Sequence, residues 1–389
     1  MKKREGEFLD VPMFQLSYGL LVLSVLMLES LPANGAEHAP TGRRETVRTL
    51  WEKEYERAAQ SAPARSPYPT EAALVFLSAY DFTRDPKFAA LAAKRLDYAH
   101  SLEKRGMIVT PEGKTTRDYQ ARQIYNFYLA YRILGDGKYL RWADACAKAM
   151  LEIVPRAPHE CQGETHTQFA AGFVDVEGAQ QGPFHYGIDV NQNAEVGLAY
   201  SLLYHDPASA FFLDPVAKEI AFEETLASMS IQDKETGAIP LTEGARIKEF
   251  DTAYGSYAVF SWVWSQLLWN DSRMDRHIRA AGRWLAPKMN LSKDSVRYYS
   301  FRSPSTFMPY WEVYYRLPLL WYCGVDASRF LTDVFARMPK PEETPGDSGG
   351  PPWTYAYYDL MGLPRAYYLD GQVQAARPQK SRHDTGSGT

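Results

Sequence analysis

Across residues 119–134 the apolar side chains Ile124, Phe127, Tyr128, Tyr131 and Ile133 fall near helical spacing, and the pattern resumes over 139–153 with Ala143, Ala147, Met150 and Leu151. A short polar turn, Gly135-Asp136-Gly137-Lys138, separates the two stretches. The same unit of apolar helix, aspartate turn and second helix recurs four times more. Its other turns are Thr83-Arg84-Asp85-Pro86-Lys87, His205-Asp206-Pro207, Asn270-Asp271-Ser272-Arg273 and Gly324-Val325-Asp326-Ala327-Ser328. Successive aspartates lie 51, 70, 65 and 55 residues apart, too irregular for a solenoid of equal units but suited to helical hairpins joined by loops of variable length.

The first helices are predicted at about 71–82, 119–134, 190–204, 252–268 and 308–322, with partners at about 86–103, 138–153, 215–230, 272–286 and 327–338. Asp85, Asp136, Asp206 and Asp271 stand where an N-cap is needed, because a carboxylate there accepts backbone N–H bonds and suits the helix dipole. Pro86 and Pro207 then fall at the first helical position, which proline favours. Two helical stretches remain, 46–60 and 354–369, and pairing them gives a sixth hairpin. Twelve helices in two concentric layers make an all-α (α/α)6 toroid.

Turns within a hairpin are short, whereas the connections between hairpins are long: about 104–118, 154–189, 231–251, 287–307 and 339–353. In an up-down ring these long connections all emerge at one end, where the first helix of each hairpin begins. Binding groups tend to sit on such loops, so that end is expected to be the working face.

Composition narrows the partner. A formal charge of −4 and a pI near 6.1 give no basic face for nucleic acid. The 26 tyrosines and 9 tryptophans offer flat, half-polar rings on which sugars stack, although most must be core. The N-terminus orders basic Lys2, Lys3 and Arg4, an apolar run from Gly19 to Leu28, and small residues up to Ala36, as a secretory signal does; the run is short for a bilayer span. The expected organisation is a signal peptide at 1–36, a linker at 37–44, the toroid at 45–370 and a disordered tail at 371–389. The product is then secreted or periplasmic, with no stable membrane insertion after cleavage. Three cysteines are too few for a disulfide scaffold; Cys146 and Cys161 are close enough to pair, and buried free thiols are equally open.

With its helix, Asp-Pro-Lys or Gly-Asp-Gly-Lys turn, and helix repeated over about 45–370, the chain resembles the six-hairpin, or (α/α)6-toroid, superfamily of carbohydrate-active proteins. That superfamily includes glycoside hydrolases, polysaccharide lyases and glucuronyl epimerase-like proteins. The resemblance is one of fold and implies a carbohydrate substrate. It carries over no active-site residues, since no stretch matches one family's catalytic signature.

The helix starts at the expected working end supply candidates. Asp118, Asp189, Asp251 and Glu312 come from four hairpins, and glycoside hydrolysis needs two carboxyl groups flanking the bond. Asp189 and Asp251 are the preferred pair; capping is the bland reading for Asp118, Asp189 and Asp251. The run His185, Tyr186, Asp189, Asn191, Gln192 and Asn193 is polar beyond what capping needs, and a ligand could supply its partners. His185 and Tyr186 also suit β-elimination on a uronic-acid polymer. Arg122, with Arg246, Arg302 and Arg316, could grip an acidic sugar, a surface or structural ion pair being the plainer role. Tyr254, Trp311 and Trp353 are the candidate sugar platforms. The loop segment His159-Glu160-Cys161-Gln162-Gly163-Glu164-Thr165-His166 lacks a zinc motif and reads as a mobile surface loop, so no metal or cofactor is expected. Hydrolysis by paired carboxylates leads; a lyase, an epimerase-like enzyme and a non-catalytic glycan-binding protein are the alternatives.

Overall fold

The computed structural model of the protein describes residues 69–110, 113–172, 174–176, 187–244, 252–285, 319 and 322–324. The chain divides into two units, Met1–Glu45 and Thr46–Thr389, and every described residue belongs to the second. Among the described residues eight helices form four consecutive hairpins. They are α1 (Pro69–Thr83) with α2 (Pro86–Ser101), α3 (Arg117–Leu134) with α4 (Gly137–Ile153), α5 (Val190–His205) with α6 (Pro215–Ser230), and α7 (Thr252–Trp269) with α8 (Ser272–Leu285). The predicted boundaries hold to within about two residues. The fifth hairpin and the helices at 46–60 and 354–369 lie outside the described residues, apart from Leu319 and Tyr322, which are helical.

Residue pattern assigns each helix to a layer. Along α8, Met274, Ile278, Ala281 and Leu285 are buried at helical spacing while Arg276, Arg279 and Arg283 are exposed, as on an outer helix with one face to water. In α5 nearly every residue from Val190 to Leu203 is buried, which only a helix enclosed on all sides permits. Accordingly α1, α3, α5 and α7 pack side by side as the inner layer, and each hairpin partner covers them from outside. Gly197 lets the inner and outer helices of the third hairpin touch, since a Cβ there would stand 2.9 Å from Thr225 N and 3.1 Å from Ala221 O. Trp262, fully buried in α7, donates its indole N–H to Ser228 Oγ at 2.6 Å and so ties α7 to α6.

The aspartate turns behave as caps with one correction. Asp85 and Asp136 accept from the N–H of Lys87 and Lys138, and Asp271 from that of Arg273 at 2.8 Å. Asp206 does not cap the helix after it. It ends α5, accepts from Ala208 N at 2.9 Å, and pairs with Arg132 at 3.5 Å. The cap of α6 is Asp214, which accepts from Ala217 N, and Pro215 rather than Pro207 takes the first helical position. A second Asp-Pro eight residues downstream carries the same local signal, and the helix follows that one.

The long connections are not plain loops. Within them run β1 (Glu103–Lys104) with β2 (Met107–Ile108), β3 (Lys114–Thr115) with β6 (Val174–Asp175), and β4 (Arg156–Cys161) with β5 (Glu164–Phe169), each pair antiparallel. The segment read as a mobile loop is therefore a hairpin whose β5 packs on α6. Its two-residue turn, Gln162 at φ 50° and Gly163 at φ 83°, has both centres left-handed, the geometry that matches strand twist. Cys146 and Cys161 are free and buried, so no bridge joins them.

Candidate functional site

The N-terminal turns of the inner helices carry polar side chains that meet one another. Arg122 in α3 donates through Nε to Glu195 Oε2 in α5 at 2.9 Å and through its terminal nitrogen to Asp118 Oδ2 at 3.0 Å. Tyr257 in α7 lies with its ring centre 5.6 Å from the same guanidinium, within cation–π range. Because α5 sits between α3 and α7, a side chain of α3 reaches α7 only on the concave side of the inner layer. Asp118, Arg122, Glu195 and Tyr257 thus line the inside of the ring near the helix starts. Asp118 also accepts from Thr116 Oγ1 at 2.5 Å, and Thr116 caps α3.

A second cluster lies beside the first, with Arg117, Gln168, Asn193 and Glu224 fully buried. Arg117 is fully buried; it donates to Gln192 Oε1 at 3.1 Å, to Asn193 Oδ1 at 3.0 Å and to the Phe169 carbonyl, and stands 3.9 Å from Asp189 Oδ2. Asn193 donates to Gln168 Oε1 at 2.6 Å and Glu224 Oε2 at 2.7 Å, while its own carbonyl also accepts from Asp189 N at 3.0 Å. Glu224 accepts from Phe169 N at 2.6 Å. Burial pushes the Glu224 carboxyl above its usual range, opposed by the charge of Arg117 and by the bonds from Phe169 N and Asn193. This cluster fixes the end of β5 against the starts of α3 and α5. Gln120 performs the same service for the first connection, bonding both polar groups of Ile108 and donating to Thr115 Oγ1 at 2.6 Å.

Of the residues singled out from sequence as site candidates, six are described in full, among them Gln192, which accepts from Arg117. Asp118 and Arg122 are in direct contact. Asp189 is at the N-cap position of α5 without a side-chain capping bond; its backbone bridges to Thr242 and its carboxylate faces Arg117. Asn193 finds its partners among protein atoms, and Asn191 is buried in the first turn of α5. Tyr254 falls in the first turn of α7, its side chain outside the described residues. His185, Tyr186, Asp251, Trp311, Glu312 and Trp353 lie outside them, as do Arg246, Arg302 and Arg316. Asp189 and Asp251 are thus not brought into a described pair.

Sequence reasoning passed over Arg117 and Glu224, and gave no separate role to Glu195, at the end of the polar stretch 185–195, or to Tyr257, counted with the aromatic packing of its helix. A charged residue inside an otherwise buried stretch was the available signal for Glu195, flanked by Ala194 and Val196 in α5. On the β4–β5 hairpin, His159 lies 2.5 Å from Glu243 Oε2 and His166 lies 3.2 Å from Glu223 Oε2. Among the described residues no group of three or more His, Cys, Asp or Glu is placed to hold a metal ion.

No protein-family model and no curated protein matches the sequence. Solved structures do match. An unsaturated glucuronyl hydrolase specific for heparin is similar over 84% of this chain and 97% of its own, at 15% identity and a TM-score of 0.55. A reducing-end-xylose releasing exo-oligoxylanase matches over 88% and 96%, at 13% identity and a TM-score of 0.55. A cellobiose 2-epimerase from Bacillus thermoamylovorans matches over 76% and 86%, at 13% identity and a TM-score of 0.55. At such identities the likeness is one of fold, and the fold is the all-α (α/α)6 toroid.

Proposed function

We propose that the protein is a carbohydrate-active enzyme that hydrolyses glycosidic bonds at the N-terminal end of its inner helices. The observation that carries this reading is the meeting of Asp118, Arg122, Glu195 and Tyr257, from three successive inner helices, on the concave side of the ring. The similar structures, two of hydrolytic enzymes and one of an epimerase, point to the same substrate class. In this reading Asp189, half-buried at the mouth of α5, is one reacting carboxyl, and Asp251, immediately before α7, is the other. One in its acid form gives a proton to the leaving oxygen, and the other, ionised, activates water or attacks the anomeric carbon. Asp118 and Tyr257 bind sugar hydroxyls and ring faces, with Arg122 holding Asp118 in place. Action outside the cytoplasm fits the basic, apolar and small-residue order of the first 36 residues.

The test is release of reducing ends from a panel of oligosaccharides by the full chain, compared with Asp189→Asn and Asp251→Asn. Loss of cleavage in both, with folding retained, is the expected result. Full activity in both variants overturns the assignment of the pair. An ultraviolet-absorbing unsaturated product would replace hydrolysis with elimination, and saccharide binding without any cleavage would replace the enzyme with a binding protein.

A further inference from the structure

Amide side chains stand in a row along α3, at Gln120, Gln123 and Asn126, and all of them are fully buried. Residues three apart on a helix are neighbours on its surface, with about 5–6 Å between their Cβ atoms. The outer members of the row have protein partners. Gln120 bonds both backbone groups of Ile108 and donates to Thr115 Oγ1, and Asn126 donates to Thr70 Oγ1 in α1 at 2.9 Å. Gln123 differs from both: among the described residues neither its Oε1 nor its Nε2 has a hydrogen-bond partner. A glutamine amide can donate twice and accept twice, so its whole capacity is withdrawn from solvent and unanswered by the protein. Burial of that kind is costly, and an apolar side chain of the same size would serve better unless something else meets the amide.

We propose that Gln123 holds buried water between α1 and α3. Water is the ligand that these groups select. Gln120, Gln123, Asn126 and Thr70 present no surface to a saccharide or another organic molecule. None of the four side chains is charged, so they offer a metal ion or an anion no counter-charge. A water molecule donates and accepts at once, as the two sides of the amide require, and two hydrogen bonds of about 2.8 Å span the distance from one member of the row to the next. Bound there, water completes a polar chain. It runs from the first long connection, at Ile108 and Thr115, through Gln120, Gln123 and Asn126, to Thr70 in the first turn of α1.

A crystal structure of the full chain that resolves ordered water tests this directly. Water within hydrogen-bonding distance of Gln123 Oε1 or Nε2 is the expected result. An amide bonded to protein atoms instead, or no water beside it, overturns the inference. Thermal unfolding of Gln123→Met, which keeps the length of the side chain and removes its polar atoms, gives an independent reading. Because water satisfies the native amide, the variant is expected to melt at the same temperature as the unaltered protein or lower. A rise in Tm of more than about 2 °C shows that the amide was unmet, and overturns the inference as well. Should the variant fail to fold, the structure of the unaltered protein decides alone.

Discussion

Replacing Arg117 with methionine tests whether the buried cluster supports the working end. The change removes the donors to Gln192 Oε1, Asn193 Oδ1 and the Phe169 carbonyl, and takes from the fully buried Glu224 the stronger of the two cations, Arg117 and Arg156, that act on it. Leaving buried hydrogen-bonding groups without their partner costs about 1–3 kcal/mol each, a large share of the ~5–15 kcal/mol of a typical domain. Glu224 can escape part of that cost by taking a proton. Its folded-state affinity for protons is already raised by burial and rises further without Arg117. A carboxyl whose folded pKa exceeds its unfolded value contributes stability that is present at low pH and lost as pH rises through the folded value. The penalty of Arg117→Met should therefore grow with pH, by up to about 1.4 kcal/mol per pH unit, between the folded-state value of Glu224 in the unaltered protein and its higher value in the variant. Urea unfolding at a series of pH values measures it. Adding Glu224→Gln should recover much of the loss and flatten the pH dependence, because a neutral amide needs no counter-charge. A penalty below about 1 kcal/mol, or a double variant no better than the single one, would refute the view that Arg117, acting on Asn193 and Glu224, braces the fold.

Two further outcomes follow from other parts of the molecule. His205 is half-buried against Trp269, 4.4 Å between ring centres, and burial with the nearby Lys218 pushes its pKa down to about 4. Its folded value lies below its unfolded one, so stability present above about pH 6.5 is lost as pH falls toward 4, by roughly 3 kcal/mol in all. The variant His205→Phe should show a shallower fall of Tm with acid; His277, lowered chiefly by burial, keeps part of the slope. An unchanged slope would remove His205 from the account. At the contact of α5 with α6, Gly197→Ala should destabilise by about 1–3 kcal/mol in denaturant titration, since the new methyl meets Thr225 and Ala221 backbone atoms that cannot rotate away. A neutral or stabilising result would mean that the two helices slide apart at little cost.

Helix positions were legible because their causes are local. Asp85-Pro86 and Asp136 cap by reaching two residues along the chain, and the burial stripe of α8 is spaced within fourteen residues. Asp206 misled because Asp-Pro occurs twice between α5 and α6, and only the tertiary environment of Asp206, with Arg132 beside it, decides which copy caps. The β4–β5 hairpin left a faint trace in Gln162-Gly163, a turn pair outside the usual Asn-Gly or Asp-Gly signals. The site was half-legible. Asp118 and Arg122 are one helical turn apart and could be read together, but Glu195 comes from 73 residues further on. Glu224 reaches Asn193 across 31 residues, from a Glu-Glu pair in α6 that by itself resembles a solvated outer face. Polar density at 191–193 was correctly seen to need partners, and for Asn193 protein atoms provide them.

Gln120 and the Arg117–Asn193–Glu224 cluster make the inner helices into sockets, each shaped to receive one particular connection. A connection transplanted from another toroid would arrive without its socket, and Ile108 or Phe169 would lose the side chains that satisfy its backbone. Altering the specificity of this scaffold is therefore a matter of moving paired parts, a connection together with the two or three helix residues that seat it.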